Sequence, residues 1–207
     1  MISFFGKFLG RFSQGLGIDL GTANTLVGVA NKGIVLREPS IVCRNRKNKT
    51  IIAVGSSAKK MLGRVPATIE VLRPLKDGVI ADYDVTLAML SYFVNKINQN
   101  FGKNLILFAP RAVIGVPSNI SKVERRAVIT AAEKSGVRWA YLLEEPIAAA
   151  IGAGLPVTDP VGSMIVNIGG GTCEIAIISL GGVVSGRSLK IAGDAMDENI
   201  IGYVRSR

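Results

Sequence analysis

A glycine-rich turn that occurs twice constrains this chain more than any other feature. Residues Val166–Thr172 read VNIGGGT, lying between one apolar run and a second, Glu174–Leu180. Three consecutive glycines between strand-like runs have no packing purpose of their own; they let the backbone turn tightly and approach another group closely. Bare N–H groups in such a turn cradle an anion, most often a phosphate, and a plain hairpin is the alternative. The earlier copy is Ile18-Asp19-Leu20-Gly21, which aligns with Val166-Asn167-Ile168-Gly169 at a separation of 148 positions. Each copy runs apolar, short polar, apolar, glycine, with a threonine within four positions and an apolar strand beyond. The repeat favours two related domains facing one another, with a nucleotide's phosphates gripped between the turns, over two unrelated hairpins.

With 207 residues, 48% of them hydrophobic, the chain can bury a substantial core in one large or two small domains. No apolar run reaches the roughly 18 residues that a membrane-spanning helix needs. Histidine is absent, which excludes histidine-based catalysis and zinc sites built on it. Cys43 and Cys173 have no metal-type spacing and read as buried thiols of a reducing compartment. A net charge of +10 favours anionic partners. The one basic cluster, Arg44, Arg46, Lys47 and Lys49, lacks interleaved aromatics and reads as a solvated hairpin tip rather than a nucleic-acid site.

Residues 1–13 read MISFFGKFLGRFS. On a helical wheel Met1, Ile2, Phe4, Phe5, Phe8, Leu9 and Phe12 fall within about 160° of arc, with Lys7 and Arg11 opposite. Such a helix either packs on the domain or lies in a membrane surface; four phenylalanines within residues 4–12 favour the membrane. Strands are expected through Ile18–Leu20, Leu26–Val29 and Ile34–Leu36. Residues 37–76, punctuated by prolines, read as a small insertion with a strand at Ile51–Val54 and helix character over Ser56–Leu62.

Asp84 can cap a helix that carries Val85, Met89, Phe93 and Ile97 at spacings of four. After an apolar loop centred on Leu105–Phe108, Ala112–Val116 is a buried strand. Ser121-x-x-Glu124 is a capping box opening a helix that Gly136 closes. Trp139–Leu143 is the next strand, and Pro146 stands at the start of a helix running to Gly152. Thr158–Gly162 is turn-rich, as a domain boundary is. Val183 and Val184 continue the second sheet, and Gly193-Asp194 opens the last helix.

Asp19 ends a strand directly before a phosphate-type turn. A carboxylate there repels phosphate, so it either holds magnesium, through water, or simply forms the turn. Glu145, at a strand-to-helix corner, either orients an attacking water or serves only as a dipole-favoured helix start, and Glu144 has the second role open to it as well. Asn167 holds the position matching Asp19; its amide can hydrogen-bond to water but can neither take a proton nor carry charge for a metal.

GIDLGTANT, the EPS at Glu38–Ser40, RPLKDGVIADY at Arg73–Tyr83, VERRA at Val123–Ala127, LLEEPIAAAIGAGLPV and NIGGGTCEIAIISLGG together resemble the bacterial actins of the MreB family, in the family's order from residue 15 to 205. The wider superfamily, which includes actin, DnaK-type chaperones and hexokinase-type kinases, shares the two phosphate hairpins but not RPLKDGVIADY with EEPIAAAIGAGLP. The resemblance implies an α/β, actin-like ATPase fold of ribonuclease-H-like domains. The first domain would take residues 14–36 and 77–157, the inserted subdomain 37–76, and an incomplete second domain 158–207. ATP and Mg2+ would lie in the cleft, with Gly21, Thr22, Ala23 and Asn24 as one phosphate loop and Gly169, Gly170, Gly171 and Thr172 as the other. Asp19 would serve the magnesium ion and Glu145 the hydrolytic water.

Subunits would form filaments on the inner face of the cell membrane, from the cytoplasmic side, and act with the cell-wall elongation machinery in setting rod shape; nucleic acid is not an expected partner. The helix over residues 1–13 and the apolar pair Leu107 and Phe108 match membrane-inserting parts of the family.

Two departures qualify this. The family has Asp where this chain has Asn167, so slowed hydrolysis is expected. The family chain also continues past Arg207, so the second domain is expected to lack covering helices. A remnant that binds membrane or filaments without ATP turnover is therefore the alternative function. A kinase or chaperone of the same superfamily would need substrate residues between the hairpins or a peptide-binding domain, and neither is visible.

Overall fold

The computed structural model describes residues 15–101 and 110–207. Strand β1 (Gly15–Leu20) buries Leu16, Ile18 and Leu20 while Gly17 and Asp19 face the other way, as the two-residue period of a strand requires. It forms an antiparallel meander with β2 (Asn24–Val29) and β3 (Gly33–Pro39). On its other side lie β9 (Arg111–Val116) and then β10 (Trp139–Glu144), both parallel, giving the order β10-β9-β1-β2-β3. The third strand, expected over Ile34–Leu36, runs on to Pro39, because Glu38 and Pro39 still pair with Thr25 and Asn24.

One face of this sheet is covered by α2 (Tyr83–Phe101) and α3 (Lys122–Lys134). Val85, Met89, Phe93 and Ile97, four residues apart, are all buried against Ile18, Val27 and Ile114. The cap of α2 is Asp82 rather than Asp84: Asp82 Oδ1 accepts from the Val85 N–H at 3.1 Å. The helix has already begun at Tyr83, which leaves Asp84 inside the first turn. The capping box on α3 is present, with Glu124 N–H donating to Ser121 Oγ at 3.2 Å and Ser121 N–H to Glu124 Oε2 at 2.8 Å.

Between β3 and α2 the chain builds a separate sheet of β4 (Val42–Asn45), β5 (Ile51–Val54) and β6 (Ile69–Leu72), in the order β5-β4-β6, with the short helix α1 (Ser56–Met61). Of the basic cluster, Arg46, Lys47 and Lys49 are exposed around the β4–β5 turn. Arg44 is not part of that tip. Its guanidinium is drawn inward by two carboxylates, Glu70 Oε1 at 2.7 Å and Asp82 Oδ2 at 3.2 Å. A two-stranded hairpin, β7 (Leu75–Lys76) and β8 (Val79–Ile80), turns through Asp77 and Gly78, both at positive φ. Cys43 is buried, whereas Cys173 is only half-buried, since it stands on the less covered face of its strand.

Glu38 ties the insertion to the main sheet. Its carboxylate accepts from Ser56 N–H at 2.7 Å, Ser56 Oγ at 2.6 Å and Lys96 Nζ at 2.5 Å. Burial pushes its pKa up, but the bonds from Lys96 and Ser56 outweigh this and hold it below the usual carboxylate value. A lowered folded pKa means stability that is fully present above the unfolded value and is lost as pH falls through the folded one. Glu38→Gln is therefore expected to cost about 1–3 kcal/mol at neutral pH. The gap to the parent chain should shrink below about pH 4.5, as urea unfolding at several pH values would show. A gap independent of pH would remove the charge from the explanation.

The second sheet is antiparallel, β11 (Ser163–Ile168), β12 (Cys173–Ser179) and β13 (Gly182–Leu189), followed by α5 (Gly193–Arg205). Helix α4 (Glu145–Gly152) joins the two sheets and packs Ala150 on Ala176 and Ile178. The outer face of β11 carries Met164, Val166 and Ile168, each at least half exposed, and Ile200, Ile201, Tyr203 and Val204 of α5 are open as well.

Candidate functional site

The two glycine turns meet. A Cβ placed on Gly170 would lie 2.6 Å from Ala23 Cβ and 3.2 Å from Ala23 N; one on Gly171 would lie 2.8 Å from Thr22 Oγ1 and 3.2 Å from Asp77 N. The close approach these glycines permit is thus first of all to the opposite turn. The β7–β8 hairpin closes the third side, with Gly78 N–H donating to Thr22 Oγ1 at 3.0 Å. Two ion pairs brace the same junction from outside, Arg73 to Asp194 at 2.8 Å and Lys190 to Asp77 at 3.7 Å.

Hydrogen bonding within the turns is one-sided. Most of their carbonyls are used: Ser40 Oγ donates to Gly21 O, Ser40 N to Ala23 O, Gly169 N to Thr172 O, Gly193 N to Gly169 O and Asp194 N to Gly170 O, all at 2.6–3.1 Å. The N–H groups of Thr22, Ala23, Gly170 and Gly171 have no acceptor among the described residues. Free donors on both turns, with most of their acceptors already engaged, make a concavity that favours an anion.

That concavity has a volume of about 430 Å³ and is lined by both turns together with Asp19, Asn24, Glu145 and Asn167. A neighbouring hollow of about 580 Å³ shares Asp19, Leu26, Glu145 and Asn167, and its other walls include Ile34, Val113, Ala148 and Ala149. The structure therefore gathers around one cleft the residues of both expected phosphate loops, the expected metal carboxylate and the two expected catalytic positions. The expected membrane residues Phe4, Phe5, Phe8, Leu9, Phe12, Leu107 and Phe108 lie outside the described residues.

The pKa values of the cleft's carboxylates are raised. Asp19 stands at the mouth of the cleft, and partial loss of hydration there raises its pKa. Glu145 is raised to about 7, chiefly by burial and then by the negative charges of Glu174 and Asp19. Glu174 is the residue that the sequence reading missed. It lies within an apolar run, yet its alternation with Ala176 and Ile178 places it on the buried face of β12, where it is 1% exposed. It is the register partner of Asn167, and its Oε1 accepts from Ser118 N–H at 3.1 Å, joining the second sheet to the loop after β9. Burial raises its pKa as well, against the pull of its bonds from Ser118 and Ser188.

No group of three or more acidic, histidine or cysteine side chains among the described residues is arranged as a protein-only metal cage. The donors fit instead a hard cation shared with an anionic ligand and water, since a positive charge beside Asp19 and Glu145 would offset their desolvation and repulsion.

Comparison with known proteins agrees with this architecture. The profile of the family described as MreB/Mbl protein matches residues 13–207. The cell shape-determining protein MreB of Escherichia coli strain K12 is 52% identical over 203 residues, covering 96% of this chain and 58% of that protein. The cell shape-determining protein Mbl of Bacillus subtilis strain 168 is 50% identical over 196 residues, covering 94% and 57%. Among solved structures, MreB5 of Spiroplasma citri bound to ADP superposes with a TM-score of 0.85 at 35% identity, covering 94% of this chain and 57% of that one. The MamK double helical filament superposes with a TM-score of 0.76 at 25% identity, covering 94% and 59%. The chain thus spans somewhat over half the length of the relatives it matches. With an actin-like fold and about half its residues shared with cell shape-determining proteins, the chain belongs to the MreB/Mbl family.

Proposed function

We propose that the chain binds ATP with Mg2+ in the cleft between the two turns and self-associates into filaments. We further place these filaments on the cytoplasmic face of the cell membrane, where they organise wall synthesis for rod shape. The observation that carries the nucleotide reading is the pair of turns, most of whose acceptors are engaged, with the N–H donors of Thr22, Ala23, Gly170 and Gly171 left without an acceptor among the described residues around one cleft. The Spiroplasma structures bound to ADP and to AMPPNP support a nucleotide there, and the MamK filament supports self-association.

In this reading Thr22, Ala23, Gly170 and Gly171 bind phosphate oxygens through their N–H groups. Asp19 would hold the cation, through water. Glu145, with a pKa of about 7, can orient a water and accept its proton near neutrality. Magnesium, when bound, neutralises charge on the phosphate oxygens. Asn167 positions water by hydrogen bonding but takes no proton and adds no charge.

Asn167 also favours a second reading, in which nucleotide, filament or membrane is bound without appreciable turnover. Asn167→Asp is expected to raise ATP hydrolysis at least about tenfold, equivalent to about 1.4 kcal/mol of barrier. Phosphate release by the parent chain and the variant, both first shown to bind a fluorescent ATP analogue with Mg2+, would decide. Saturable binding with unchanged turnover would remove Asn167 as the brake, and no saturable binding by either would overturn the nucleotide reading.

A further inference from the structure

We infer that Ser40 is the residue that aims the first turn at phosphate, a proposal that rests on the nucleotide reading above and adds a positioning residue to it. Ser40 follows Pro39 at the end of β3, where the chain leaves for the inserted sheet. It is fully buried, and it stands outside the lining of the cleft. Its Oγ donates to Gly21 O at 2.6 Å, and its N–H donates to Ala23 O at 3.0 Å. A hydroxyl has one proton to give, and that of Ser40 is engaged by Gly21 O. Thr25 Oγ1, 2.9 Å away and equally buried, therefore donates to Ser40 Oγ. The bonds run in one direction, from Thr25 through Ser40 to the backbone of the turn.

Peptide planarity gives these bonds their effect on the cleft. The carbonyl of one residue and the N–H of the next lie in one plane and point opposite ways. Ser40 holds Gly21 O away from the cleft, and so turns the Thr22 N–H towards it. The second turn is anchored in the same manner. Gly193 N–H holds Gly169 O and so aims the Gly170 N–H, while Asp194 N–H holds Gly170 O and so aims the Gly171 N–H. Neither Gly193 nor Asp194 lines the cleft. Thr22, Gly170 and Gly171, three of the four donors without an acceptor among the described residues, thus belong to peptides held from behind. The anchors of the second turn are backbone groups. Ser40 Oγ is the one side chain among these three anchors.

Gly21 makes such an anchor necessary. A Cβ added there would lie 2.6 Å from Asn24 O, so the turn has room for nothing larger than glycine. The same residue type lets the following peptide turn over at little cost, which would present a carbonyl oxygen to phosphate in place of an N–H. A neutral hydroxyl prevents this without setting a charge beside the anion.

The experiment titrates the full chain and three variants with a fluorescent ATP analogue in Mg2+, and follows the thermal unfolding of each without nucleotide. Ser40→Ala is expected to weaken binding by about tenfold to a hundredfold, the loss of one hydrogen bond to a charged group. It should also lower the unfolding midpoint by roughly 2–10 °C, because Thr25 Oγ1 is left buried without its acceptor. Thr25→Val keeps the bond from Ser40 to Gly21 and should stay within about twofold of the parent affinity. Thr25→Val combined with Ser40→Ala removes both hydroxyls, so most of the lost stability should return while the lost affinity does not. A residue that merely packs would move both quantities together. Unchanged affinity in Ser40→Ala, affinity that recovers with stability in the double variant, or an equal loss in Thr25→Val would each overturn the proposal and leave the nucleotide reading standing. Should Ser40→Ala alone fail to fold, the double variant decides: parent affinity overturns the proposal, and a tenfold or greater loss supports it. No saturable binding by the parent chain would overturn the nucleotide reading and this proposal with it.

Discussion

Gly170→Ala is expected to weaken ATP binding by roughly tenfold to a hundredfold while leaving the fold intact. The added methyl group would sit 2.6 Å from the Ala23 methyl and 3.2 Å from the Ala23 nitrogen. Neither is the end of a flexible side chain, so the two turns themselves must separate. A cradle spread in this way loses at least one of its charge-assisted hydrogen bonds to phosphate, each worth about 1.5–3 kcal/mol. The matched control is Gly182→Ala, at the start of β13, where an added Cβ meets nothing within 4 Å. Titration of both variants with a fluorescent ATP analogue in Mg2+ tests the point. Equal affinities would mean that the distance between the turns does not govern binding.

The second large effect concerns the core. Phe93 stands at the middle of α2 and is 1% exposed, packed among Ile18, Val27 and Ile114 of the main sheet. Phe93→Ala removes that area and leaves a cavity, which costs about 3–5 kcal/mol. Against a total stability of about 5–15 kcal/mol, such a loss leaves the domain close to unfolding. The thermal midpoint should fall by roughly 6–20 °C for a chain of this size. The neighbouring Tyr92, 40% exposed, supplies the comparison: Tyr92→Ala should cost about 1 kcal/mol or less. If the two variants unfolded alike, α2 would not be docked on the sheet by the face described.

What could be read from the sequence, and what could not, divides along the range of the interactions. The capping box at Ser121 and Glu124 is a local pattern, as is the four-residue spacing of Val85, Met89, Phe93 and Ile97, and both were legible residue by residue. The paired turns were legible as a repeat. That Gly170 presses on Ala23 and Gly171 on Thr22 was not, because nothing local encodes contacts across 147 and 149 positions.

Arg44 was misplaced for the same reason. Its sequence neighbours Arg46 and Lys47 are solvated, and its carboxylates come from Glu70 and Asp82, which only the fold brings near. Asp82 outcompeted Asp84 as the cap by a shift of two residues, the ordinary uncertainty of a helix boundary. Glu174 was hidden by its surroundings: a single carboxylate within an apolar run reads as noise until alternation assigns it to the buried face.

The parallel pairing of β1 with β9 has a consequence for the order in which the protein is made. The meander of β1, β2 and β3 is contiguous and can form as soon as it leaves the ribosome, since its pairings span few residues. The other edge of β1 must wait for Arg111, 96 residues after Gly15. At about 5–20 residues per second that is roughly 5–20 s of synthesis, during which the nascent chain carries an unpaired edge. Gly15 and Gly17, with no side chains to add β-propensity to that strand, lower the risk that another nascent chain occupies the edge first.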